Sequence, residues 1–189
     1  MLEDGFVVRT WVWGVMLATV LAALPAGMAR AALDFDEGAW RLELRGMGGI
    51  HQGGRDRTGD TMFLLGAEYE VPATRHGTLG LRLLPLFIYD SDEKTDPILG
   101  VGFGLAGRLY ARGERYQGLF VETELNALFH EDRIPANSSN LNFLTGLGVG
   151  YQFGDHVSAA LRYQHISNAS LGNLNAGANA VGLSLAFRF

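Results

Sequence analysis

The stretch Val157-Ser158-Ala159-Ala160-Leu161-Arg162-Tyr163-Gln164-His165-Ile166-Ser167 sets the reading of the whole chain. Positions 157, 159, 161 and 163 are apolar or aromatic, and 158, 162 and 164 are polar. A repeat of two is the signature of a strand whose two faces meet different surroundings. Continuing the parity puts His165 and Ser167 on the apolar face. That face points into the core of a water-soluble sheet, or at lipid in a membrane barrel. An imidazole and a hydroxyl two residues apart on one face are neighbours, with roughly 7 Å between Cα atoms.

Seven further segments repeat the pattern: 40–51, 61–71, 78–89, 98–110, 117–130, 141–153 and 179–189. In the first, Trp40, Leu42 and Leu44 alternate with Arg41, Glu43 and Arg45. In the third, Leu79, Leu81, Leu83, Pro85, Phe87 and Tyr89 are expected on one face and Arg82 on the other. In the fourth, Leu99, Val101, Phe103 and Leu105 oppose Gly100, Gly102, Gly104 and Ala106. Each segment is about long enough to cross a bilayer at a tilt. Eight strands make the smallest common bacterial membrane barrel, whose narrow interior suits small side chains. Arg82, Glu122, Glu124, Arg162 and Arg188 fall on the non-apolar face, where opposite charges can pair.

A soluble sandwich would show the same alternation with the faces inverted. Three features favour an eight-stranded antiparallel transmembrane β-barrel over residues 32–189. One is the glycine-rich inner face, with 26 glycines in 189 residues. Another is the alternating last strand that ends on Phe189. The third is the N-terminus, where residues 11–24 are apolar apart from Gly14 and Thr19, and Ala29-Arg30-Ala31 offers small-x-small cleavage. Residues 1–31 are therefore expected to be a cleaved signal peptide. The acidic Glu3 and Asp4 are unusual for such a segment, and an early start codon would account for them. An uncleaved anchor is the alternative, although the apolar run is short for a spanning helix.

Composition excludes several classes. The absence of cysteine removes disulfides, thiolate metal sites and a Cys nucleophile. A net charge of −5 argues against nucleic-acid binding. Removing residues 1–31 leaves it unchanged, because Glu3 and Asp4 go with Arg9 and Arg30. Connections 52–60, 90–96, 131–140 and 170–178 are longer and polar, whereas 72–77, 111–116 and 154–155 are shorter. Long outer loops and short periplasmic turns are the barrel habit. His165 and Ser167 then lie at the outer leaflet, which in a Gram-negative outer membrane is lipopolysaccharide.

The run Arg162-Tyr163-Gln164-His165-Ile166-Ser167-Asn168-Ala169, followed by Leu171, Asn175 and Gly177, resembles the lipid A 3-O-deacylase (PagL) family. That family carries His-x-Ser-Asn-Ala, then Asn-x-Gly, then a last strand. The resemblance implies an outer-membrane enzyme that hydrolyses the ester-linked 3-position acyl chain of lipid A. It implies His165 as base, Ser167 as nucleophile, and Asn168 and Asn175 at or near the site, Asn175 as an oxyanion donor. The sequence departs from the family at one place. The family's third member is a Glu twelve residues after the Ser, and here that position is Asn179. Its parity places it outward on the last strand, beside the seventh. An amide oxygen can orient an imidazole but adds no charge to favour imidazolium.

The chemistry is sound on the residues alone. A serine hydroxyl is a weak nucleophile until a neighbouring base takes its proton, and ester hydrolysis needs donors for the oxyanion. Gly172 and Gly177 would let loop N–H groups approach closely. No cofactor or metal is expected, since His51, His76, His130 and His156 are scattered without ligand spacing. Gly100-x-Gly102-x-Gly104 is no phosphate loop, because no helix follows it. Arg55, Arg57, Lys94 and Arg133 sit in outer loops, where they could meet lipid A phosphates. Two other classes stay open: a non-enzymatic structural or adhesive barrel, and another lipid-modifying enzyme such as a phospholipase or acyltransferase. Oligomeric state, a homodimer included, is not set by the sequence.

Overall fold

The computed structural model describes residues 33–51, 56–111 and 115–189. The expected signal peptide and Arg55 lie outside the described residues. Eight strands follow in order: β1 (Ala39–Gly49), β2 (Thr61–Pro72), β3 (Gly77–Asp90), β4 (Ile98–Tyr110), β5 (Gly118–His130), β6 (Leu141–Phe153), β7 (Val157–Ser167) and β8 (Ala178–Arg188). Each pairs antiparallel with the next, and β8 returns to β1 over Arg41↔Arg188 to Gly49↔Ala180, so the sheet closes. Closure leaves no strand edge unpaired, which a lipid environment requires of a sheet.

The outward face is an unbroken apolar belt. Leu81, Leu105, Leu161, Leu183 and Leu185 are each more than 60 % exposed, and every strand contributes. So large a continuous apolar surface is not tolerated in water. It rejects the soluble sandwich, whose apolar face would be covered, and fits a transmembrane barrel.

The inward face carries charge. Arg45, Arg82, Arg108 and Arg162 interlock with Glu43, Glu68, Glu70, Glu122 and Glu124. Arg82 lies at the hub. It contacts Glu68 and Glu124, and it stands 3.4 Å from both Glu43 and Glu122. Arg41 is buried beside this network and donates to the Ser158 hydroxyl at 2.5 Å. With it, five buried arginines of the strands stand with the five glutamates, among the described residues. Arg188, at the short-turn end, stacks its guanidinium 3.6 Å from the centre of the Tyr116 ring. The expected inward placement of Arg82, Glu122, Glu124, Arg162 and Arg188 therefore stands.

Glycine makes room for these side chains. A Cβ at Gly80 would sit 2.1 Å from Glu68 Oε1, and one at Gly146 would sit 2.6 Å from Glu124 Oε1. Gly80 and Gly146 are thus the counterparts of bulky charged neighbours on adjacent strands, whereas Gly102 makes room for Leu84 and Leu128.

Two features differ from the sequence reading. The first is β3, where pairing to β2 and β4 shifts register around Leu84–Phe87. Pro85 cannot donate to the ladder, and a bulge absorbs it. The extra residue inverts parity, so Phe87 and Tyr89 point inward and are fully buried rather than sharing the face of Leu81 and Leu83. The second is a layer of apolar side chains inside the long-loop end of the barrel. Leu64, Leu84, Phe87, Tyr89, Leu128, Leu144 and Ile166 pack there above the charged network. The interior is thus ionic over the middle and apolar toward the long loops, with a smaller cluster of Tyr110, Phe120 and Ala160 at the short-turn end.

Candidate active site

Strand register builds the site. β7 and β8 pair over Val157↔Phe187 to Ile166↔Ala178, and within this ladder His165 stands opposite Asn179. On the other side, β6 sets Thr145 opposite His165 and Phe143 opposite Ser167. Tyr163, His165 and Ser167 all take the outward face of β7 and are half-buried, at the long-loop end. The expected parity of His165 and Ser167 is therefore realised in the fold.

His165 Nδ1 lies 2.7 Å from Asn179 Oδ1. An amide oxygen only accepts, so this contact places the imidazole proton on Nδ1 and the lone pair on Nε2. Asn179 is only 6 % exposed despite its outward parity, and Tyr163 and His165 both lie against its side chain. Its Oδ1 accepts a second hydrogen bond from the Tyr163 hydroxyl, also at 2.7 Å. The Tyr163 contact was not read from the sequence. An outward aromatic on a barrel strand looks like any lipid-facing ring until inter-strand register is known.

The loop that follows, 168–177, is fixed by side chains. Asn168 is fully buried, and both ends of its amide are hydrogen-bonded. Its Nδ2 donates to Asn137 Oδ1 at 3.0 Å and to the Leu174 carbonyl at 2.8 Å, and its Oδ1 accepts from Ser170 N at 2.9 Å. These bonds hold Ala169 and Ser170 in the left-handed region, with φ of 50° and 66°. Non-glycine residues there are strained, and such strain gathers where geometry matters. Asn175 is exposed, and its Oδ1 accepts from Asn168 N at 2.9 Å, which leaves the oxygen engaged with the loop backbone. Of the two asparagines, Asn168 braces the loop from within, and Asn175 caps its first N–H from the exposed side.

The brace extends into the β5–β6 loop. Asn137 Nδ2 donates to Asn142 Oδ1 at 2.6 Å, and Asn142 Nδ2 meets His130 Nε2 at 2.5 Å. Ser138 N donates to Leu174 O and Ala176 N to Ala136 O, closing a small inter-loop ladder. Arg57 then ties in the β1–β2 loop. Its Nη2 donates to the carbonyls of Pro135 at 2.7 Å and Ala176 at 3.2 Å. Arg57 is 1 % exposed, so it is a clamp between loops rather than a surface cation able to meet a phosphate. Lys94 is likewise engaged, with Asp132. Sequence reasoning missed the clamp because it joins residues far apart in the chain through backbone carbonyls, which leave no pattern.

Gly177 completes the enclosure. A Cβ at this position would lie 2.6 Å from His165 Cε1 and 3.3 Å from Nε2. The backbone therefore passes directly against the imidazole, and only glycine permits it. The glycine of the Asn-x-Gly pair thus brings the backbone against the ring, and its asparagine bonds Asn168 N at the start of the loop.

The barrel fold is shared with solved structures of known proteins. Among solved structures, that of the outer membrane enzyme PagL superposes with a TM-score of 0.58 at 17 % identity, over 79 % of this chain and 97 % of that one. Neisserial surface protein A superposes with a TM-score of 0.53 at 7 % identity, over 84 % and 99 %. At such identities the likeness shows a shared barrel fold and no more. No curated protein matches the sequence. The family description "Lipid A 3-O-deacylase (PagL)" matches residues 75–188, from the β2–β3 turn to the end of β8. That span covers more than half of the chain and contains His165, Ser167, Asn175 and Asn179, and the chain belongs to the lipid A 3-O-deacylase (PagL) family.

Proposed function

We propose that this protein hydrolyses the ester that links an acyl chain to the 3-position of lipid A in the outer leaflet, with Ser167 as nucleophile and His165 as base. The observation that carries the proposal is the 2.7 Å contact between His165 Nδ1 and Asn179 Oδ1, on the wall that also presents Ser167. With Nδ1 protonated, Nε2 is the atom able to take the Ser167 proton. Ser167 Oγ attacks the ester carbonyl, and His165 holds the proton. The tetrahedral intermediate then expels the sugar hydroxyl, which receives that proton. Water, activated by His165 in turn, releases the fatty acid from Ser167.

Asn175 Nδ2 is the side-chain donor assigned to the developing oxyanion. Asn168 serves through its bracing of the loop. Asn179 orients the imidazole. Residues 1–31 are proposed as the export signal to the outer membrane.

The test is mass spectrometry of lipid A from cells that express the protein or its Ser167→Ala variant. Loss of one 3-linked acyl chain with the wild type, and none with Ser167→Ala, is expected. An unchanged wild-type spectrum sinks the hydrolase reading. Gain of acyl mass on a second lipid would make the enzyme a transferase instead.

A further inference from the structure

Asn179 poses a problem that a carboxylate does not. A carboxylate is symmetric, so either oxygen accepts the His165 Nδ1 proton however the group turns. An amide has one accepting end and one donating end. Turned the wrong way, Nδ2 would donate to Nδ1, the imidazole proton would move to Nε2, and no lone pair would face Ser167. The wrong tautomer is what makes an aspartate-to-asparagine change so damaging in a serine protease triad, where it costs roughly 10⁴ in turnover. A site built on asparagine needs a further group to choose which end of the amide faces the ring.

We propose that Tyr163 is that group: a positioning residue whose hydroxyl holds Asn179 with its oxygen toward His165. Tyr163 precedes His165 by two residues on the same outward face of β7, and it pairs in register with Val181, two residues after Asn179 on β8. Its hydroxyl and His165 Nδ1 each lie 2.7 Å from the single oxygen Asn179 Oδ1. Two donors converge on one acceptor; with the amide nitrogen in that place the phenol would have to turn and accept, and a phenol is the better donor, so the oxygen is favoured there. Asn179 is nearly enclosed, so bulk water is a poor substitute for either donor. The inference rests on the Ser–His reading above and adds to it a reason why asparagine is workable at position 179.

A symmetric acceptor should make the tyrosine hydroxyl dispensable, which gives a rescue experiment. Tyr163→Phe is made in the full chain with Asn179 and again with Asn179→Asp, and both are assayed on lipid A micelles. In the asparagine background kcat should fall on the order of tenfold, the cost of one polar contact, with KM unchanged. In the aspartate background the same substitution should cost far less. A second readout needs no substrate. Imidazole ¹⁵N shifts of His165 should report Nδ1–H in the wild type, a tautomer mixture in Tyr163→Phe, and Nδ1–H again in the double variant.

Equal losses in both backgrounds, or no loss and no tautomer change with Asn179, would overturn the positioning role while Ser167→Ala stays inactive. Retained deacylation in Ser167→Ala would instead overturn the Ser–His reading, and this role with it.

Discussion

The imidazole of His165 and the backbone of Gly177 are in such close contact that a Cβ on residue 177 would come within 2.6 Å of Cε1. The ring cannot retreat freely, because its other side is held by Asn179. Gly177→Ala is therefore expected to displace His165 and to lower deacylation by about 100-fold, since small misplacements of a reacting group are that costly. The barrel itself should assemble normally. Heat-dependent mobility on gels checks folding, and lipid A turnover checks activity. Full activity in this variant would show that the loop yields and that the contact has no bearing on the ring.

Replacements at Asn179 should separate orientation from charge. Asn179→Ala removes the acceptor and should cost less than Ser167→Ala or His165→Ala, which should reduce turnover to background. Asn179→Glu should leave the rate unchanged or raise it, by supplying a charge that favours imidazolium. Steady-state kinetics on purified lipid A decide the order. A folded but inactive Asn179→Glu would mean that the carboxylate does not fit between Tyr163 and His165.

Arg57 holds three long loops together through the carbonyls of Pro135 and Ala176. Hydrogen bonds to a charged donor contribute about 1.5–3 kcal/mol each. Arg57→Ala should thus loosen the loops, speed proteolytic cleavage within 131–140 and 168–177, and reduce turnover through the loop that carries Asn175. Limited proteolysis in detergent is the measurement. Unaltered cleavage would refute the clamp.

Arg82 is the hub of the ionic interior. Arg82→Ala leaves the network with one buried negative charge in excess, although Glu68 keeps Arg108 and Glu124 keeps Arg45, and removing one partner of a buried pair costs about 3–5 kcal/mol. Urea unfolding from lipid vesicles should register the loss. The site lies on the outward face at the long-loop end, whereas Arg82 faces inward, so the folded fraction should keep its rate per molecule.

Much of the barrel is legible in the sequence because a strand with two unlike faces writes its orientation into every second residue. Leu183 against Ser184, or Val121 against Glu122, needs no tertiary knowledge. The method fails where the repeat of two is interrupted. Pro85 inverts the parity of Phe87 and Tyr89, and the proline is itself the warning sign. It fails again for Leu64, Leu128 and Leu144, because apolar residues inside the long-loop end break the rule that the inner wall is small or charged. In the site, the places of His165, Ser167 and Asn179 follow from parity and spacing. The roles of Tyr163, Arg57 and Asn137 do not. They depend on which strands and loops become neighbours, and that is decided by register and loop packing.

The outward aim of Tyr163, His165 and Ser167 has a consequence for how rate depends on substrate. A site on the outer wall meets its lipid by lateral diffusion within one leaflet, not through a mouth open to water. Velocity should then follow the mole fraction of lipid A in the surface, so that inert detergent added at constant bulk lipid A slows the reaction by dilution in two dimensions.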